Sequence, residues 1–153
     1  MDQSELQIYF AGAIRGGRDD ARLYTHLIRA LDRFGRVLTQ HVGDSELLGQ
    51  EQSMSETAIF ERDMKWLRAA DLVIAEVTTP SLGVGYEIAQ ALAWGKPTLC
   101  LFRPPSGRAL SALIAGNPAL RVKNYVSQAE ATALIEEFIR ATMPQITPAP
   151  VQS

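Results

Sequence analysis

Apolar and polar positions follow two rhythms along this chain, and the change from one to the other marks its elements. Nearly continuous apolar runs at Gln7–Ala11, Asp71–Val77 and Thr98–Phe102 have strand length and the two-sided hydrophobicity of strands buried in a parallel sheet. Arg36–Thr39 and Leu120–Tyr125 are weaker runs of the same kind. Between them the period lengthens. Leu23, Leu27, Ile28, Leu31 and Phe34 form one helical face, opened by Asp19 and Asp20 and closed at Gly35, where a left-handed C-terminal cap is expected. Ser53 and Glu56 have capping-box spacing, which predicts a helix from Met54 to Ala69 or Ala70. Ile59, Trp66, Leu67 and Ala70 share a side of that helix, and Asp63 falls in their midst. A turn holding Pro80, Gly83 and Gly85 leads into an alanine-rich helix that stops at Gly95 and places Glu87 in its first turn. Ala109–Ala115 is a short helical stretch carrying Ser111, and Gln128–Thr142 is a helix with Ala131, Leu134, Ile135 and Phe138 inward.

This alternation predicts an α/β fold: a single-domain, Rossmann-like, flavodoxin-type doubly wound parallel sheet of five strands with helices on both faces. Residues 1–142 form the domain, and 143–153, with Pro144, Pro148 and Pro150, are expected to be a mobile tail. Gln40–Met54 is polar and patternless, and reads as a lid beside a site. In such sheets ligands bind beyond the carboxyl ends of the strands, where strand order reverses.

Composition narrows the partners. At 153 residues and 46% hydrophobic content the chain fits one domain with a sizeable core. A net charge of −2 without runs of like charge marks neither a polymeric nucleic-acid footprint nor a membrane-surface patch. The first residues lack the pattern of a signal peptide, so a cytoplasmic or nuclear setting is expected. One cysteine, Cys100 in an apolar run, excludes an internal disulfide and reads as a buried thiol. With His26 and His41 the only histidines, no soft-ligand metal cluster can be assembled, and neither metal nor cofactor is expected.

The candidate chemistry sits at the strand ends. Gly12, the backbone at Ala13 and Ile14, and Arg15 offer amide and guanidinium donors, and Ser81 with Gly83 offers a facing set suited to a phosphate. A third strand end, Arg103–Arg108, brings two more cations to the same rim. Gly16 and Gly17 read equally as a plain turn and Arg15 as a solvated cation. No Walker sequence follows either loop, and the first lacks dinucleotide-fingerprint spacing. Asp63 has two readings, a half-buried hydrogen-bonding residue or a functional acid. Glu87 also has two, a helix-end stabiliser or the nucleophile of a glycosidic cleavage in which Asp63 or Tyr9 handles protons.

Tyr9-Phe10-Ala11-Gly12-Ala13-Ile14-Arg15-Gly16-Gly17-Arg18, Asp63-Met64-Lys65-Trp66-Leu67, and Pro80-Ser81-Leu82-Gly83-Val84-Gly85-Tyr86-Glu87 resemble stretches of the 2′-deoxynucleoside 5′-monophosphate N-hydrolases. That family lies within the nucleoside 2-deoxyribosyltransferase superfamily, and the likeness spans about residues 7–140. The resemblance implies cleavage of the N-glycosidic bond of a deoxynucleoside 5′-monophosphate to free base and 2-deoxyribose 5-phosphate. Glu87 would be the nucleophile, Asp63 the second carboxylate, and Tyr9 the residue orienting Glu87 and the sugar. Gly12, Ala13, Ile14, Arg15, Ser81 and Gly83 would hold the 5′-phosphate, with His41 near the base. Ser111 would complete the pocket of a neighbouring subunit, implying a homodimer. Ala13 departs from the family serine, removing one hydroxyl. Alternatives are a ribonucleoside (cytidine-type) monophosphate N-hydrolase and a nucleotide-sensing module without turnover. A phosphoribohydrolase motif, Pro-Gly-Gly-x-Gly-Thr-x-x-Glu, does not match Pro80–Glu87.

Overall fold

The computed structural model describes residues 5–14, 20–44 and 47–146, apart from the side chains of 48, 145 and 146. Five parallel strands run β1 (Gln7–Ala11), β2 (Arg36–Val37), β3 (Leu72–Glu76), β4 (Thr98–Phe102) and β5 (Arg121–Asn124), in the spatial order β2-β1-β3-β4-β5. Helices α1 (Ala21–Leu31) and α6 (Gln128–Ile146) cover one face, and α3 (Glu56–Ala69) and α4 (Leu82–Ala93) cover the other. Short helices α2 (Leu47–Glu51) and α5 (Ala112–Ala115) lie in the connections. The expected flavodoxin-type α/β sheet is thus what forms. Strand order reverses between β1 and β3, because the chain leaves β1 for β2 on one side and returns to β3 on the other.

Side-chain alternation assigns every strand residue to a layer. Ile8, Phe10, Leu72 and Ile74 point into the α1/α6 core, whereas Tyr9, Ala11, Val73 and Ala75 point toward α3 and α4. The positions of Tyr9 and Glu76 follow from that parity alone.

Several boundaries differ from those the sequence predicts. β2 ends at Val37 because Thr39 caps the pairing with its side chain: its Oγ1 accepts from Phe10 N–H at 2.8 Å and donates to Phe10 O at 2.6 Å. Among the described residues of the segment read as a lid, Gln40–Gly43 form a 3₁₀ turn and Leu47–Glu51 form α2; residues 45 and 46 lie outside the described residues. The turn is tied to α1 where Thr25 Oγ1 donates to Gly43 O at 2.7 Å. The α3 cap is Ser55, whose hydroxyl accepts from Ala58 N–H at 3.1 Å, rather than Ser53. α5 spans only Ala112–Ala115, and α6 continues past Thr142 through Pro144 to Ile146.

Gly35 is not a left-handed cap, since among the described residues only Gly95 and Gly107 have positive φ. Its glycine is required by close approach instead: a Cβ there would stand 2.2 Å from Leu6 O, the carbonyl that accepts from Arg36 N–H. Gly35→Ala is therefore expected to destabilise the fold by roughly 1–3 kcal/mol, measurable by urea denaturation.

Candidate active site

The site forms at the strand-order reversal, where the ends of β1 and β3 face the first turn of α4. Ser81 is the α4 N-cap, in extended conformation, and its hydroxyl oxygen accepts from Val84 N–H at 3.2 Å. Gly83 and Gly85 therefore belong to the helix itself and not to a preceding turn, and Glu87 lies in the second turn. The first-turn amides of Leu82 and Gly83 have no intrahelical acceptor and point out of the helix end. A Cβ on Gly83 would meet nothing nearer than Ser81 Oγ at 3.7 Å, so packing within the chain does not demand glycine there.

A pocket of about 330 Å³ opens beside this turn, lined by Gly12, Ile14, Glu51, Glu56, Ile59, Phe60, Asp63, Ser81, Gly83, Val84 and Glu87. Tyr9 reaches it from beneath, and its buried hydroxyl donates to Glu87 Oε2. Burial pushes the Glu87 carboxyl up to about 7 from its ordinary 4.5; the Tyr9 hydrogen bond pulls it down and the charge of Asp63 raises it further. Burial, together with the charges of Glu87 and Asp63, raises Tyr9 far above the usual phenol range, so it stays a neutral donor. Tyr9→Phe removes the one group that lowers Glu87, and should move the Glu87 midpoint above 7 in a carboxyl NMR titration.

Asp63 comes from α3 and does not stand alone. Arg62 Nε donates to Asp63 Oδ1 at 2.9 Å, and Arg62 Nη2 donates to Glu51 Oε1 at 2.7 Å. Burial raises Asp63 above the ordinary carboxylate value, opposed by the Arg62 hydrogen bond and charge and assisted by Glu51. Arg62 also lies over the Trp66 ring at 5.0 Å, and its Nη2 is 3.2 Å from His41 Nε2, which accepts when the imidazole is neutral and protonated on Nδ1. One guanidinium thus gathers the α2 carboxylate, the 3₁₀-turn histidine and the α3 acid.

The residues singled out in the sequence divide accordingly. Tyr9, Gly12, Ile14, Asp63, Ser81, Gly83 and Glu87 are brought together. His41 does not line the pocket; it lies behind Arg62, with its ring tilted against that of Trp66 at 5.2 Å between centroids. Ala13 is fully buried, and its N–H donates to Tyr24 Oη at 3.1 Å. Arg15 lies outside the described residues. Ser111 lines a different groove, on the other side of the α4 N-terminus, which shares Ser81 and Val84 with the pocket. Arg103 turns away from the rim to pair with Asp20. Glu51 lies on a different helix and Arg62 is adjacent to Asp63, so neither carries a helical-spacing signal toward it. Adjacent residues on a helix do not ordinarily face each other, which hides the Arg62–Asp63 pair in the sequence. Glu56, seven residues before Asp63, shares its face and was legible by spacing.

Residues 8–113 match the family model described as nucleoside 2-deoxyribosyltransferase. The chain belongs to the nucleoside 2-deoxyribosyltransferase family. Among curated members of this family, the 5-hydroxymethyl-dUMP N-hydrolase of Rattus norvegicus is 48% identical over 151 residues, covering 95% of this chain and 92% of that protein. The Homo sapiens 5-hydroxymethyl-dUMP N-hydrolase is 48% identical over 142 residues, covering 90% of this chain and 81% of that protein. A solved structure, the Clostridium botulinum CMP N-glycosidase BcmB, shares the family fold with a TM-score of 0.63 and 23% identity, over 86% of this chain and 98% of that one. No helix among the described residues is long and apolar enough to cross a membrane.

Proposed function

We propose that this chain hydrolyses the N-glycosidic bond of 2′-deoxynucleoside 5′-monophosphates, releasing free base and 2-deoxyribose 5-phosphate. One observation carries the reading: the Tyr9-held carboxylate of Glu87 stands in an acidic pocket one turn beyond the open amides of the α4 N-terminus. The phosphate lies against Gly12, Ile14, Ser81 and Gly83, with Arg15 supplying a guanidinium donor, while the Ala13 N–H is taken by Tyr24 Oη. Ionised Glu87 attacks the anomeric carbon while Asp63 delivers a proton to the departing base. Water then cleaves the glycosyl-enzyme ester, and Asp63, now a base, takes its proton. His41, held by Arg62, shapes the base end.

The identity to named 5-hydroxymethyl-dUMP N-hydrolases makes that nucleotide the first substrate to try. Base release is measured by chromatography from 5-hydroxymethyl-dUMP, other deoxy- and ribonucleoside monophosphates, and the unphosphorylated nucleosides. Release from deoxynucleoside monophosphates, with nucleosides slower by about 100-fold or more, is the expected result. No release from any monophosphate would sink the reading, and equal rates on nucleosides would remove the phosphate cradle from it.

The working unit is a homodimer in this reading. Leu82 is 97% exposed and Leu113 84% exposed, flanking an apolar groove of about 810 Å³ that contains Ser111 and adjoins the pocket through Ser81. A second copy seated there would bring its Ser111 to the phosphate end. Leu113→Glu should yield a monomer by sedimentation and raise KM, and an unchanged dimer would refute this interface.

A further inference from the structure

On the α1/α6 side of the sheet, away from the pocket, a chain of buried polar contacts has no part in the proposed chemistry. Glu76, the last residue of β3, is fully buried. Its Oε1 accepts from Thr78 N–H at 2.6 Å, its Oε2 accepts from Tyr125 Oη at 2.9 Å, and Arg103 Nε lies 3.6 Å from Oε2. Arg103 is fixed twice more: its backbone N–H donates to Thr78 Oγ1 at 3.0 Å, and its Nη2 donates to Asp20 Oδ1 at 2.6 Å. The other oxygen of Asp20 accepts from Thr79 Oγ1 at 3.1 Å.

Two details give this chain a purpose beyond neutralising Glu76. Asp20 occupies the N-cap position of α1, yet its side chain makes no capping hydrogen bond. It forgoes a capping contact and gives both oxygens to other loops. Two of the segments it joins reach the pocket. Asp20 heads α1, whose Tyr24 Oη accepts from Ala13 N–H at 3.1 Å between the pocket residues Gly12 and Ile14. Thr79 lies two residues before Ser81, the α4 cap in the pocket wall. Arg103, anchored by Glu76 at the end of β3, is the fixed post to which both are tied.

We propose that Asp20 and Arg103 are positioning residues, a latch behind the sheet that sets the gap between the Gly12–Ile14 and Ser81–Gly83 segments for a phosphate monoester. The proposal rests on the hydrolase reading for its choice of ligand. Neither residue touches the substrate.

The test compares wild type with Thr79→Val, Asp20→Asn and Arg103→Met. Inorganic phosphate binding is read by calorimetry, KM and kcat on a deoxynucleoside monophosphate and on its unphosphorylated nucleoside by base release, and folding by thermal melting. Thr79→Val keeps the Arg103–Glu76 contacts and the side-chain volume, so it reports even where Arg103→Met fails to fold. Phosphate affinity should fall about tenfold or more, KM for the monophosphate should rise in parallel, and both kcat and nucleoside hydrolysis should hold within about threefold. Wild-type phosphate affinity in the folded variants would overturn the latch, even with a lowered melting temperature, as would a wild type that binds no phosphate. Phosphate binding is read without turnover, so a wild type that binds phosphate yet releases no base would refute the hydrolase reading while the latch is still decided.

Discussion

Glu87→Gln is expected to abolish base release, by roughly 10³-fold or more, while leaving the protein folded and, above neutral pH, more stable than wild type. The two effects share a cause. A carboxylate that attacks an anomeric carbon must be ionised, and burial resists that ionisation, which is why the group sits near 7 and not at 4.5. A raised carboxyl value means that the folded protein binds this proton more tightly than the unfolded chain does. Wild-type stability from this group therefore declines as pH rises from about 4.5 to about 7, and stays at the lower level above that. Glutamine is never charged, so the variant escapes the decline. The gain should be on the order of 2 kcal/mol at pH 8 and vanish near pH 4.5, as read by melting the two proteins across that range. In wild type, kcat/KM should climb with pH through about 7 as Glu87 ionises. Substantial activity in the glutamine variant would end its assignment as nucleophile.

Asp63→Asn should lower kcat by about 10²–10⁴-fold on natural bases, the range expected for loss of a positioned proton donor. Its effect must depend on the leaving group in a way that the loss of Glu87 does not. A 2-deoxyribose 5-phosphate carrying a leaving group acidic enough to depart as an anion needs no proton in the first step. On it the asparagine variant should keep kcat/KM and the first-turnover burst within about tenfold of wild type, while the water step, which also uses Asp63, slows steady turnover. Equal losses of kcat/KM on both substrates would make Asp63 a structural residue. Its raised proton affinity comes from burial and is held in check by Arg62, so the Arg62 contact sets how much acid is present at working pH.

Much of this could be read in the chain because strands buried on both faces leave apolar runs that no other element leaves, and β1, β3 and β4 all have them. Asp63 stood out in the sequence as a carboxylate amid the apolar side of its helix, Glu87 by its place just after the glycine-bearing turn, and Tyr9 as a polar group at a strand end. The α2 region was opaque because it is anchored by few residues, Val42 and Leu47 among them, and by a distant hydroxyl, Thr25. Arg62 was hidden as a neighbour of Asp63 in sequence, and its ties to Glu51 and His41 exist only once the 3₁₀ turn and α2 have folded against α3. The Glu76 cluster was equally invisible, since the Tyr125 hydroxyl it depends on lies 49 residues away. Gly35 was misread because glycine answers both to unusual backbone angles and to crowding, and sequence does not say which applies. Gly83 and Gly85 read as turn residues although they lie inside α4, where neither backbone angle nor crowding demands glycine.

The placement of Glu87 in the second turn of α4 also makes that helix a gauge. Five residues separate Leu82, at the amide-bearing end, from the carboxylate, a rise of about 7.5 Å along a rigid axis. In the proposed mechanism, recognition at one end and bond cleavage at the other would be held at a fixed spacing by backbone hydrogen bonds, not by loop conformation. A single residue inserted between Ser81 and Glu87 would add only about 1.5 Å but swing the carboxylate by about 100°, off Tyr9 and out of the pocket. Loops around this helix can change length and still serve the same chemistry; the helix between its cap and Glu87 cannot.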